Sequence, residues 1–166
     1  MADTRIPSLG PRGEGWTLLQ VAFMVAIPVA AWWAAREAPN PKVPYAGELR
    51  AAGTVLLLGG LLLLFASSAL LRRSEAFTAL PRPISTGRLV ESGPYRLIRH
   101  PIYAGLIAAS LGIGLIRLSP VIGMLAAGLA LVLDLKRRRE EAWLLGRYPE
   151  YAAYRTRTKA FIPRVY

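Results

Sequence analysis

Two long apolar segments constrain the fold of this chain more than any other feature of its sequence. Residues 16–35 contain no charged side chain, and residues 49–71 contain only Arg50, close to one end. Each segment has about the 20 residues that an α-helix needs to cross the hydrocarbon core of a bilayer. We therefore predict two transmembrane helices, the first of them kinked at Pro28. The first segment is too long for a cleaved signal peptide, and we expect it to be retained.

Two shorter apolar segments follow, at residues 102–116 and 118–135. They are separated by Arg117-Leu118-Ser119-Pro120, which is typical of a turn because proline disfavours helix at the residue before it. One helix of about 30 residues with an arginine in mid-membrane is the alternative. We predict a helical hairpin, and therefore an all-α polytopic membrane protein with about four transmembrane helices. Both arms are short, so we expect tilt or local thinning of the bilayer.

The charge pattern predicts the orientation. Hydrophobic residues make up 54% of the chain, yet its net charge is +11. With four spans, 17 of the 21 Lys and Arg residues fall on one side, which should be the cytoplasmic one. We thus expect both termini in the cytoplasm, a loose tail at residues 1–15 and a single membrane domain at 16–166. Its last part, 136–166, should be a cytoplasmic segment.

Several kinds of site are excluded or weak. The chain has no cysteine and one histidine, so a metal site is not expected. It also has no nucleophile elbow, dinucleotide fingerprint or phosphate loop. Nothing resembles a nucleic-acid reading helix, and the basic residues are explained by topology and contact with anionic lipid. If the protein binds a cofactor, it must do so with a different kind of binding site.

Two segments on the predicted cytoplasmic side hold the chemically informative residues, and each has a purely structural interpretation. His100 can simply precede the third helix, with Pro101 at its first position. Residues 136–141 contain two i, i+4 pairs, Lys136 with Glu140 and Arg137 with Glu141, as in a solvated, ion-paired helix. Tyr151 and Tyr154 share a helix face, as membrane-interface anchors or as the wall of a ligand pocket.

Taken together, these segments resemble a known family. The runs LVESGPYR at 89–96 and RHPIYAG at 99–105 are similar to the central motif of the isoprenylcysteine carboxyl methyltransferases. EEAWL at 140–144, followed by Gly146, Tyr151-x-x-Tyr154 and Ile162-Pro163, is similar to the second motif. The resemblance covers roughly residues 84–163. The same signature extends to phospholipid N-methyltransferases and, more weakly, to membrane sterol reductases.

The resemblance implies an all-helical membrane methyltransferase that uses S-adenosylmethionine without a Rossmann domain. Its cofactor site would be formed by the 84–103 loop and the C-terminal helices. The implied cofactor-binding residues are Arg88, Leu89, Val90, Tyr95, His100, Pro101, Ile102, Tyr103 and Glu140. Within that set, His100 would bind the methionyl carboxylate and Glu140 the amino group or ribose hydroxyls.

The acceptor implied by the resemblance is lipophilic, most simply an isoprenylcysteine-type carboxylate. Lys136 stands where the family has a carboxylate-holding arginine, and lysine lacks the bidentate fork. We assign the catalytic role of fixing the acceptor to Lys136 or Arg137. Three alternatives stay open at this stage: a phospholipid N-methyltransferase, a nicotinamide-dependent membrane reductase and a non-enzymatic membrane scaffold.

Overall fold

The computed structural model describes residues 6–37, 41–74, 80 and 89–166, and in these residues it contains five α-helices and no strand. The helices are α1 (Glu14–Glu37), α2 (Ala46–Arg73), α3 (Pro101–Arg117), α4 (Pro120–Arg147) and α5 (Tyr151–Arg157), with a 3-10 turn at Gly93–Arg96 before α3. The predicted all-α class is confirmed.

Within the described residues, two helices are long and apolar enough to cross a membrane, fewer than the four predicted. They are α1, with 24 residues, and α2, with 28 residues. The third helix is apolar but has only 17 residues. The fourth is apolar only in its first half, because Asp134 begins a charged run that continues the same helix. By length and composition, the predicted spans 102–116 and 118–135 therefore do not qualify as membrane-spanning helices.

Large apolar side chains cover the outer surfaces of α1 and α2. Trp33 is 59% exposed on α1, and Leu62 is 72% exposed on α2. A continuous exposed apolar surface of this kind is rare on soluble monomers. It suits helices whose outer faces contact lipid.

The turn between α3 and α4 lies where the sequence predicts it. Leu118 adopts a left-handed conformation, with φ of 50°, and ends α3. The Ser119 hydroxyl then accepts a hydrogen bond from the Ile122 amide, and Pro120 occupies the first turn of α4. These two residues start a new helix with its own axis.

Glycines bring α2 and α3 into close contact. A Cβ atom added to Gly60 would lie 2.6 Å from the Gly105 carbonyl oxygen, and one added to Gly112 would lie 2.5 Å from that of Gly53. Gly60 faces Gly105, and Gly53 faces Gly112 two helical turns further along. These two contacts allow the antiparallel backbones of α2 and α3 to touch.

The other side of the α3–α4 hairpin packs against α1. Ile27 of α1, Leu106 of α3 and three side chains of α4 form the buried core; the α4 residues are Ile122, Leu129 and Leu133. Phe23 contacts α4 at Gly128. This packing brings the beginning of α1 next to the charged half of α4.

The N-terminal tail predicted for residues 1–15 is only partly described. The first helix begins at Glu14, and the Trp16 indole donates a hydrogen bond to the Pro7 carbonyl, 3.0 Å away. Residues 6–13 therefore fold back on the start of α1, whereas residues 1–5 lie outside the described part of the chain.

Candidate functional site

The loop before α3 and the C-terminal segment form one unit. The backbone amides of Arg99 and His100 donate to the carbonyls of Lys159 and Ala160, at 2.8 and 3.0 Å. The Tyr154 hydroxyl donates to the Tyr95 carbonyl at 2.6 Å. The two sequence motifs therefore meet at the end of the α3–α4 hairpin that carries the charged half of α4.

The loop turns tightly ahead of this contact. Gly93 has φ of 57°, a left-handed conformation that glycine adopts at little cost, and it opens the 3-10 turn with Pro94. The turn buries Tyr95, whose relative exposure is 7%. Burial, reinforced by the Glu140 charge, raises the pKa of the Tyr95 hydroxyl, so this phenol stays protonated.

His100 and Tyr103 present one stacked aromatic face at the start of α3. Their ring centroids are 5.4 Å apart and the rings are nearly parallel, at 8°. His100 does precede the helix, as its structural interpretation predicts, but its side chain makes no capping hydrogen bond. Instead its Nε2 lies 3.1 Å from Oε1 of Glu141, and its Nδ1 lies 3.9 Å from Oε2 of Glu140.

Glu140 is oriented by the residues of this stack. The Tyr103 hydroxyl donates to its Oε2 at 2.9 Å, on the same oxygen that faces His100. Among the described residues, the hydrogen bond and the ion-pair contact of Glu140 both use Oε2. The side chain is 22% exposed, so part of the carboxylate remains open to a ligand.

Glu141 is the most strongly compensated charge of the site. Its side chain is 4% exposed and lies within ion-pair distance of four cationic or ionisable groups: Arg99 (3.0 Å), His100 (3.1 Å), Arg137 (3.6 Å) and Arg155 (3.4 Å). Burial alone would raise the pKa of this carboxyl, but the contacts with His100 and Arg99 lower it to about 2. Glu141 is therefore ionised at neutral pH.

The Arg99 guanidinium extends this network to the backbone. It donates to the Arg155 carbonyl at 3.2 Å and to the Thr158 carbonyl. These bonds hold the end of α5 and Thr158 against the loop, so Glu141 and Arg99 together connect α4, the loop and the C-terminal segment. Such a largely buried polar network favours one arrangement of the chain.

Lys136 lies one turn before Glu140 on α4 and points toward α1. Its Nζ donates to Oε1 of Gln20 at 2.7 Å and sits 5.5 Å from the centroid of the Tyr103 ring. Lys136 is 1% exposed, and burial lowers its pKa to about 8 although the Glu140 charge opposes this shift. The lysine thus faces the same region as Tyr103 and Glu140.

Arg137 points to the opposite side of the site. It pairs with Asp134 at 2.7 Å and donates to the Tyr166 hydroxyl at 2.6 Å. The guanidinium also lies over the rings of Phe161 and Tyr166. These partners use its donors within the protein, whereas Lys136 lies beside the Tyr103 ring of the stacked face.

The interpretation of residues 136–141 as a solvated helix is wrong for the three of them that are buried. Lys136, Arg137 and Glu141 have relative exposures of 1%, 7% and 3%. Tyr151 and Tyr154 are also buried, at 1% and 3%, so they pack inside the protein rather than at a membrane interface. The reason is tertiary: α1 packs beside Lys136, whereas α5 and the residues after it pack beside Arg137 and Glu141.

The remaining predicted cofactor residues lie at the margins of the site. Pro101 and Ile102 begin α3 directly after His100. Leu89 and Val90 precede the 3-10 turn, and Val90 is buried. Arg88 lies outside the described residues, so its assignment stays a prediction.

Sequence reasoning missed Gln20 and gave no site role to Arg99 or Glu141, although both lie in the quoted motifs. Tyr151 was named there as either an interface anchor or part of a pocket wall. Gln20 is a polar side chain in an apolar helix, which was the available signal for it. The Tyr151 hydroxyl is buried without a hydrogen-bond partner in the described part of the chain, and its pKa is raised first by this burial and then by the Glu141 and Glu140 charges. The Tyr151 hydroxyl can therefore donate a hydrogen bond to a ligand.

These residues fit a nucleoside–amino acid ligand such as S-adenosylmethionine. An accessible carboxylate oxygen on Glu140, an unpartnered phenol on Tyr151 and the Tyr103 ring supply an acceptor, a donor and an aromatic surface. Ligands that combine hydroxyls, a charged amine and a sulfonium need such groups.

Comparison with known proteins gives one family. A model of the phospholipid methyltransferase family matches residues 49–151, which include nearly all of α2, the loop and the whole of α3 and α4. No curated protein matches the chain.

Proposed function

The chain belongs to the phospholipid methyltransferase family, whose members are membrane methyltransferases, and we propose that it transfers a methyl group from S-adenosylmethionine to a lipophilic acceptor. The observation that carries this proposal is the convergence of His100 and Tyr103 from α3 with Glu140 and Lys136 from α4. All four lie where the apolar helices end.

The proposed chemistry is mostly positioning. The cofactor supplies an activated methyl group on a sulfonium, and the protein must hold it in line with the acceptor and keep water away. Glu140 would bind a donor group of the cofactor, and the Tyr103 ring would face its adenine or sulfonium. Lys136, on the side of α1, would hold the acceptor.

For the acceptor we propose an anionic head group on a lipid-like chain, most simply an isoprenylcysteine carboxylate. A carboxylate needs no general base at neutral pH, and a buried lysine ammonium would fix it near the methyl group. The exposed apolar surfaces of α1 and α2 support lateral access from the bilayer, because an apolar tail then never crosses water.

A phospholipid amine is the second candidate, and the family match favours it. An amine must lose a proton before it attacks, and a lysine whose pKa is lowered to about 8 is a reasonable acceptor for that proton. The two candidates thus assign opposite protonation states to Lys136.

Methyl transfer from labelled S-adenosylmethionine distinguishes them. The purified protein in lipid nanodiscs would be given N-acetyl-S-farnesylcysteine or phosphatidylethanolamine. We expect label in the farnesylcysteine product, released as methanol by mild base because a methyl ester is base-labile. Base-stable label in the phospholipid would instead select the amine acceptor. No transfer to either would reject both acceptors.

The orientation of the site toward the cytoplasm and a four-span topology form part of the same proposal. Hairpin arms of limited length reach across a bilayer only with tilt or local thinning. Their contacts with α1 and α2 make this arrangement reasonable.

A further inference from the structure

The ring of His100 lies between two carboxylates that differ in distance. Oε1 of Glu141 is 3.1 Å from Nε2, within hydrogen-bond range, whereas Oε2 of Glu140 is 3.9 Å from Nδ1, outside that range. An ionised carboxylate only accepts hydrogen bonds. The Nε2–Glu141 contact is therefore a hydrogen bond only if Nε2 carries the proton.

From this geometry we propose that Glu141 is a positioning residue, which keeps His100 in the tautomer with the proton on Nε2 and directs an unprotonated Nδ1 toward the ligand side beside Glu140. His100 then offers an acceptor, not a donor. This differs from the role implied by the family resemblance, in which His100 binds the methionyl carboxylate.

Glu141 is held beside the ring by several partners. The guanidiniums of Arg99 and Arg137 contact its carboxylate, with Arg155 at 3.4 Å. The His100 side chain is 6% exposed, so its ring nitrogens are met by protein or ligand groups rather than by bulk water. Oε2 of Glu140 is too far from Nδ1 for a hydrogen bond and accepts one from Tyr103 instead.

The neutral ring and Glu140 together define the ligand group that they can bind. An imidazole nitrogen with a lone pair and a carboxylate oxygen are both acceptors, so the matching group is a hydrogen-bond donor. In a ligand of the class proposed above, this donor is the ammonium of the aminoacyl part or a ribose hydroxyl. The choice of ligand rests on the proposed function, whereas the state of the ring does not.

The test uses the fact that His100 is the only histidine in the chain. In protein labelled with 15N-histidine, the ring nitrogens give one pair of signals that report which of them is protonated. At about pH 8, where ordinary histidine is neutral, we expect Nε2 protonated and Nδ1 unprotonated in the ligand-free protein. Protonation of both nitrogens, or of Nδ1 alone, would overturn the proposal.

The variant Glu141→Gln tests whether Glu141 sets this state. An amide can donate as well as accept, so it no longer selects one tautomer. We expect the Nδ1-protonated form to appear in this variant and S-adenosylhomocysteine affinity to fall about tenfold. Glu150→Gln, on the exposed turn before α5, is the control and should leave both unchanged. An unaltered tautomer in a folded Glu141→Gln protein would contradict the positioning role.

If Glu141→Gln does not fold, the ligand-free spectrum of the native protein still decides the tautomer. Comparing ligands then identifies the donor. S-adenosylhomocysteine has both an ammonium and ribose hydroxyls, whereas methylthioadenosine lacks the aminoacyl part. A shift of the Nδ1 signal with both ligands indicates a hydroxyl, and a shift with the first alone indicates the ammonium. Absence of any binding would reject the proposed function without changing the tautomer result.

Discussion

At the scale of single residues, Lys136 connects the apolar helices with the charged site. It reaches from α4 to Gln20 of α1 and lies beside the ring of Tyr103. Its ammonium is buried, and this burial lowers its pKa to about 8. A lysine in this state loses its charge within the pH range in which enzymes are assayed, so its role can be measured by titration.

If Lys136 binds an anionic acceptor, the apparent KM for N-acetyl-S-farnesylcysteine should depend on pH. The lysine is protonated below about 8 and loses its charge as pH rises through that value. We expect KM to increase above pH 8, approaching about tenfold per pH unit, with little change below it. The variant Lys136→Arg should remove the increase because arginine stays charged. A flat KM between pH 7 and 9 in the native enzyme would exclude this role.

The same lysine affects stability with a definite sign. Its native pKa lies below the ordinary value of 10.5, so between about 8 and 10.5 the unfolded chain binds more protons than the native one. The contribution of Lys136 to the free energy of unfolding should therefore rise with pH across that window. Lys136→Met should remove this contribution.

Arg137 should behave differently from its neighbour. Its partners Asp134, Tyr166 and Glu141 are all within the protein, so its neutralisation removes one cation from the carboxylates of both Asp134 and Glu141. We expect Arg137→Met to lower thermal stability, by about 3 kcal/mol for a broken buried pair, and to leave the acceptor KM nearly unchanged. Arg138→Met, at an exposed position, is the control. A raised acceptor KM with native stability would return Arg137 to the acceptor site.

At the scale of elements, the contact between α2 and α3 positions His100. Gly60 has no room for a side chain, because an added Cβ would meet the Gly105 carbonyl at 2.6 Å, whereas nothing lies within 4 Å of the same atom at Gly59. We expect Gly60→Ala to lower the free energy of unfolding by about 1–3 kcal/mol and Gly59→Ala to have no such effect. Equal melting temperatures for the two variants in detergent would show that the helices can separate without cost.

How far the sequence predicts this structure also depends on the element. Helix positions and the turn at Ser119 follow from apolar length and from proline, which are local properties. Local properties do not decide which of the two adjacent glutamates is buried. Glu140 and Glu141 point about 100° apart on α4, and either face suits a charged helix. Glu141 is buried because the loop with Arg99 and His100, docked on residues 159–160, lies against it.

At the scale of the whole molecule, contacts between distant segments determine the site. Gln20 meets Lys136 because α1 packs against α4, and Tyr154 meets Tyr95 because α5 folds back under the loop. No sequence periodicity encodes these pairings. The family resemblance anticipated the convergence of the two motifs, whereas composition and charge anticipated the apolar helices.

The predicted topology can be tested on the whole chain. In the predicted four-span topology, 17 of the 21 basic residues lie on one side, so both ends should be cytoplasmic. We expect an alkaline phosphatase fused after residue 166 to show no phosphatase activity, and a fluorescent protein fused at the same place to fluoresce. A fusion in the turn at 118–119 should give the opposite result. Phosphatase activity at the C-terminal fusion would reject the orientation.

The central claim is that the end of the α3–α4 hairpin binds S-adenosylmethionine. Calorimetry of the protein in nanodiscs with S-adenosylhomocysteine tests it directly, with reduced nicotinamide cofactor as the comparison. We predict saturable binding of S-adenosylhomocysteine, weakened about tenfold or more by Glu140→Gln and by His100→Ala, and no binding of the nicotinamide. Binding of the nicotinamide alone, of neither ligand, or of S-adenosylhomocysteine with native affinity in both variants would contradict the account.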